Sequence, residues 1–112
     1  MTEKQYNEFS ALIESRGYKK RNYANTILNE HYYYYKHFND IAHEYTIHFL
    51  VYDYKYRDDV EDEHKYNVTP LLITMYDDKR IDLQITASVP DLEKVENFFG
   101  GFVNTFLRNH SV

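Results

Sequence analysis

The chain has 112 residues, 13 of them basic and 18 acidic, for a net charge of −5. That length fits one domain spanning 1–112 and buries roughly two-thirds of the unfolded surface without metal or disulfide support. There is no cysteine, which excludes disulfides, zinc–thiolate centres and thiol nucleophiles, and the acidic balance weighs against a generic nucleic-acid binder.

The opening Met1–Ser10 run is polar and charged where a signal peptide needs an apolar stretch. No apolar run approaches the roughly 20 residues of a membrane span. The expected setting is the cytoplasm. Aromatic content is the anomaly, with 13 Tyr and 7 Phe but no Trp. Tyrosine combines apolar area with a polar tip, so it suits half-buried surfaces and interfaces.

Residues 3–16 read as an amphipathic helix. Thr2 and Gln5 have the spacing of a capping box. Tyr6, Phe9, Leu12 and Ile13 form the expected buried stripe. Gly17 is a natural stop, with Tyr18 folding back on the last turn. Tyr18-Lys19-Lys20-Arg21-Asn22-Tyr23 reads as an edge strand, its lysines discouraging edge pairing. Ala24 to Asn29 reads as a loop or a single turn.

His31 to Phe38 is a strand holding four consecutive tyrosines. Tyr32, Tyr34 and Phe38 share one side, with Lys36 between. His31, Tyr33, Tyr35 and His37 share the other. After a turn at Asn39-Asp40 comes the central strand, from about Glu44 to Tyr54, rich in β-branched and aromatic residues. Tyr45, Ile47, Phe49 and Val51 form its core side. Thr46, His48, Leu50, Tyr52 and Tyr54 form a side that is neither clearly polar nor clearly apolar.

Lys55 to Asn67 reads as a solvated, mobile hairpin tip. Its acids, Asp58, Asp59, Glu61, Asp62 and Glu63, lack the glycine and spaced oxygens of a calcium loop. Val68 to Tyr76 and Ile81 to Val89 form a hairpin about Asp77-Asp78-Lys79-Arg80. Ile81, Leu83 and Ile85 alternate with polar residues, so one side is wet. In the preceding strand Leu71, Ile73 and Met75 are assigned to the core and Leu72, Thr74 and Tyr76 to the other side. Pro70 belongs at the strand's start or at an edge.

From Pro90 to about Asn109 the spacing of Leu92, Val95, Phe99, Phe102 and Phe106 predicts one helix running through Gly100-Gly101. The glycines would let its backbone approach the sheet. The rival reading is two helices breaking at Gly100.

These elements predict an α+β fold. An antiparallel four- or five-stranded meander carries the N- and C-terminal helices on one face. The other face, expected to present Tyr33, Tyr35, His48, Leu50, Tyr52, Leu72 and Tyr76, would be a protein interface, and two copies stacking there would give a dimer.

Catalytic signatures are missing. Ser10, Ser15, Ser88 and Ser111 lie outside any nucleophile-elbow motif, and no glycine-rich phosphate loop exists. The reading is therefore a non-enzyme with no cofactor and no small-molecule substrate. His31, His37, His43 and His48 fall in one stretch, and convergence of three of them with Asp40 or Glu44 would suit zinc or iron. The expectation is that no metal binds. Tyr18, Lys19, Lys20, Arg21 and Tyr23 interleave rings with cations, the alternative site for single-stranded nucleic acid.

Gly17-Tyr18, Asn29 to Lys36, Val51 to Tyr54 and Arg80 to Leu83 together resemble small uncharacterised proteins of gut-bacterial genomes and mobile elements. That resemblance implies no activity and transfers no site residue. It suggests a setting of small accessory or inhibitor proteins, and with it a second alternative, an inhibitor that binds a host protein.

Overall fold

The computed structural model describes residues 1–22, 31–39, 44–87 and 89–107. Tyr23, the 24–29 segment, Asp40, His43, Ser88, Arg108 and Ser111 lie outside the described residues.

Helix α1 spans Glu3–Ser15. The Thr2 hydroxyl accepts from the Gln5 amide at 3.2 Å and the Gln5 side chain accepts from the Thr2 amide at 2.9 Å. This is the reciprocal capping box that the spacing predicts. Gly17, with φ +89°, ends the helix. The Gly17 and Tyr18 amides donate back to the Glu14 and Ile13 carbonyls, both at 3.1 Å, a Schellman closure that favours glycine at this position. The reversal drops Tyr18 into the core. Tyr6, Phe9 and Ile13 are buried, but Leu12 is 43% exposed and does not belong to the buried stripe.

Five antiparallel strands follow in sequence order: β1 (Lys19–Asn22), β2 (His31–Asn39), β3 (Glu44–Asp53), β4 (Tyr66–Tyr76) and β5 (Lys79–Gln84). A short 3-10 turn, Asp62–His64, lies between β3 and β4. The 54–65 connection is tied down at its base, where the Tyr54 amide donates to the Lys65 carbonyl at 2.8 Å. The Met1 ammonium donates to the Glu63 and Tyr66 carbonyls at 2.8 and 2.6 Å.

Helix α2 spans Leu92–Gly101, capped by Asp91, whose carboxylate accepts from the Lys94 amide at 3.0 Å. Pro90 precedes the cap. The helical path does not break at Gly100. It widens into a π-helical segment over Phe102–Leu107. A wider turn rotates each residue less about the axis, so the buried stripe passes from Phe99 to Val103. Phe102 is half-buried and stacks on Phe106, which is 51% exposed. A Cβ at Gly100 would sit 3.3 Å from the Tyr45 hydroxyl, the close approach expected of these glycines, whereas one at Gly101 would meet nothing within 4 Å.

Both helices cover one face of the sheet. Phe9 and Ile13 from α1, Leu92, Val95 and Phe99 from α2 and Val103 from the π-helical segment share one cluster with Tyr32, Tyr34, Ile47, Phe49, Val51, Val68 and Leu72. Complete burial of a side chain such as Phe49 contributes about 1.5–3 kcal/mol. The second and fourth tyrosines of the run, Tyr32 and Tyr34, lie here, and α1 answers their hydroxyls. Tyr6 bonds Tyr32, while Tyr34 meets Ser10 at 3.1 Å and donates to Glu14 at 3.3 Å. Burial first, then the bonds to Tyr32 and Tyr34, raise the Tyr6 hydroxyl far above its ordinary range.

The structure corrects one strand. In β4 the buried residues are Tyr66, Val68, Pro70, Leu72 and Thr74, so Leu71, Ile73 and Met75 belong to the opposite face. Tyr76 packs against the core from its margin. Leu72 and Tyr76 are therefore not residues of the open face. The cause is the turn. Only Asp77 and Asp78 link β4 to β5, both with positive φ, 52° and 61°, as a two-residue primed hairpin requires. An even loop pairs odd-numbered residues with even-numbered ones: Ile81 with Thr74, and Leu83 with Leu72. If Ile81 and Leu83 face the helices, Leu72 must do so too. Pro70, expected at a start or an edge, sits within β4 opposite Phe49.

The corrected register is open to a direct test by urea denaturation. Leu72→Ala is expected to cost about 2–5 kcal/mol, as for a fully buried leucine, and Leu71→Ala less than about 1 kcal/mol. Equal costs would return Leu71 to the core.

Candidate functional site

The strand alternation that buries Tyr32 and Tyr34 turns Tyr33 and Tyr35 to the opposite face. Pairing sets Tyr33 against Leu50 and Tyr35 against His48 across β2 and β3, then His48 against Leu71 and Thr46 against Ile73 across β3 and β4. Tyr33, Tyr35, His48, Leu50, Tyr52, Leu71 and Ile73 are all half-buried. Among the described residues no helix lies over them. Five of the seven residues expected on this face are there: Tyr33, Tyr35, His48, Leu50 and Tyr52. Leu71, Ile73 and exposed Met75 join them, residues that the wrong parity of β4 had hidden.

The rings lie against one another. Tyr33 stacks on His48 at 5.2 Å with 15° between planes, Tyr35 lies 5.9 Å from Tyr33, and His31 meets Tyr52 edge-on at 4.8 Å. The His37 ring nitrogen Nδ1 bonds the Thr46 hydroxyl at 2.8 Å. At the β1 edge Lys19 and Arg21 pair with Tyr35 and Tyr33, and the Arg21 guanidinium sits 5.2 Å from the Tyr35 ring centre. At the β5 edge Arg80 holds Asp82 at 2.7 Å. A shallow depression of about 360 Å³ crosses the face, lined by Arg21, Asn22, Tyr33, His48, Leu50, Leu71, Ile73 and Arg80.

The basic segment at β1 does not act as one unit. Tyr18 is buried under α1, so it presents no ring for base stacking. Lys20 points to the helix side, its ammonium 4.1 Å from the Tyr32 ring centre. Lys19 and Arg21 alone reach the open face, where their aromatic neighbours come from β2.

Among the described residues His31, His37 and His48 do not gather into a ligand set, and His43 lies outside them. Among the described residues the group of three ligating side chains with atoms within 4.8 Å of one another is Glu61, Glu63 and His64, all exposed. A larger cleft of about 680 Å³ lies beside Met1, Tyr54 and Tyr66, but the Met1 ammonium is already held by carbonyls. Tyr66, on the helix side, is pushed up to about 12, by burial first and then by the Asp53 carboxylate.

No family model, curated protein or solved structure matches the chain. Among the described residues no helix is long and apolar enough to cross a membrane. The open face therefore has to be read from its own chemistry.

His48 supplies a pH signature. Burial, then the positive charge of Arg80 and of His37, lowers its pKa below the usual 6.5, with Asp82 opposing. The unfolded chain then binds this proton more readily than the folded one, so the fold gives up stability as pH falls through the ordinary histidine range. Chemical denaturation of the wild type and of His48→Gln at neutral pH and at about pH 5 should show the wild type losing more. An equal loss would mean that His48 titrates as a free histidine.

Proposed function

We propose that the chain is a non-catalytic, cytoplasmic protein-interaction module whose docking surface is the open face of its sheet. One observation carries the reading: half-buried aromatic and aliphatic side chains from β2, β3 and β4 form a continuous surface, with cations at its two edges. Protein interfaces have this anatomy, an apolar aromatic centre inside a polar rim in which arginine is enriched. Contiguous apolar surface on this scale is uncommon on a monomer with no partner.

The physical basis is area without ordering cost. The rings of Tyr33, Tyr35 and His48 already rest on one another, so a partner would freeze few rotamers on docking. Tyrosine and arginine also dominate the energetics of known interfaces. A cytoplasmic setting fits a chain that needs no disulfide.

The test is capture of a partner from cells of the source organism, followed by titration with purified components. Leu50→Asp and Tyr52→Asp should each weaken binding by roughly tenfold or more, while circular dichroism and melting temperature stay near wild type. A partner that binds both variants as tightly as the wild type would place docking elsewhere.

A further inference from the structure

The chain is acidic overall, yet cations collect about the apolar part of the open face. Lys19 and Arg21 reach it from β1 and Arg80 from β5. The described acids on the same side are Glu44, at the start of β3, and Asp82, which Arg80 already holds at 2.7 Å. Arg21 and Arg80 stand on opposite edge strands and still line one depression, with Leu50, Leu71 and Ile73 between them. Four inter-strand spacings of about 4.8 Å lie between those edges, and the register sets Arg21 in the row of Leu50 and Arg80 one row beyond Tyr45, about 20 Å along the strands, so the two backbones stand roughly 28 Å apart and only the side chains close on the depression.

A second copy of the chain is a poor occupant. A two-fold axis across the strands would lay β1 on β1, setting Lys19 and Arg21 against their own copies. An axis along the strands would instead lay β1 on β5, the Lys19 and Arg21 edge on the Arg80 edge. Each arrangement opposes like charges, which an interface avoids.

The geometry points to an extended acidic segment of another protein as the occupant, its carboxylates on Arg21 and Arg80 and an apolar side chain between them on Leu50, Leu71 and Ile73. This rests on the open face being the docking surface. An extended chain covers about 3.3 Å per residue, so, with both arginine side chains reaching inward, carboxylates roughly four to eight residues apart would meet both. Guanidinium groups take carboxylates two oxygens at a time, a fit that a lysine at the same place would lack; Arg80 holds Asp82 through Nε and offers its two terminal nitrogens to a second carboxylate.

The experiment is a fluorescence-anisotropy titration of the full chain with a short labelled peptide that alternates glutamate with leucine. Its counterpart with lysine for glutamate, and a single-stranded oligothymidylate, run in parallel. The glutamate peptide should bind, lose affinity as salt rises, and lose roughly three- to tenfold for each of Arg21→Gln and Arg80→Gln. Both arginines are exposed, and thermal melts will show that the variants fold. Equal binding of the two peptides, no binding of either, or indifference to both substitutions overturns the inference. Tighter binding of the oligothymidylate overturns it as well and gives the face to nucleic acid. If the wild type sediments as a dimer that Leu71→Asp returns to monomer, the occupant is a second copy; the inference fails and the docking face stands. If the glutamate peptide binds Leu71→Asp and Leu50→Asp undiminished, both fail together.

Discussion

Neighbouring side chains in a strand point to opposite sides of the sheet, and antiparallel pairing passes that choice from each strand to the next. The fold depends on this constraint, anchored at β3. Ile47, Phe49 and Val51 are almost fully buried beneath the helices. Once they are in, pairing places Tyr32 and Tyr34 beside them from β2, and Val68 and Leu72 from β4. Leu72 in turn fixes Leu83 in β5. A slip of one residue would turn Ile47, Phe49 and Val51 out of the core in β3, and in β5 would bury Arg80 and Asp82 in place of Ile81 and Leu83, so the registers hold one another in place.

The same constraint gives the tyrosine run two roles. Tyr32 and Tyr34 are core residues with hydroxyls, tolerable only because Tyr6, Ser10 and Glu14 of α1 provide partners. The helix and the strand therefore fix one another's position by polar contacts as well as by packing. Tyr33 and Tyr35 do the opposite work. They keep apolar area near the surface and rest on His48, with Arg21 over the outer ring. Four identical residues in a row thus join the two faces of the sheet.

The two faces differ in charge as well as in cover. On the helix side the hydroxyls of Tyr32 and Tyr34 are paired with Tyr6, Ser10 and Glu14 of α1. On the open side Lys19, Arg21 and Arg80 flank an apolar floor, and burial first, then Arg80, lowers the pKa of His48. A cationic rim of this kind is what the proposed docking of an anionic segment rests on.

Much of the fold was legible from local chemistry. The Thr2–Gln5 box and Gly17 mark α1, the alternation in β3 marks its core side, and the helical phase carried α2 through Gly100. Tyr33, Tyr35, His48, Leu50 and Tyr52 were legible as open-face residues for the same reason. Leu72 and Tyr76 were misplaced because both sides of β4 are apolar and alternation alone cannot choose between them. The length of the Asp77-Asp78 turn held the missing information. Leu12 was misread because a narrow helix needs only one edge of its stripe. Phe106 left the stripe when the last turns widened, while Phe102 still packs against the core from its margin.

The sequence by itself determined which elements form, in what order, and which side of β3 and β5 is buried, because those depend on caps, turns and periods within a few residues. Only the tertiary structure decided that Lys20 parts from Lys19 and Arg21, that Tyr18 is core, and that Arg21 and Arg80 from opposite edges line one depression. Those outcomes follow from strand pairing between residues far apart in the chain, and no local pattern contains it.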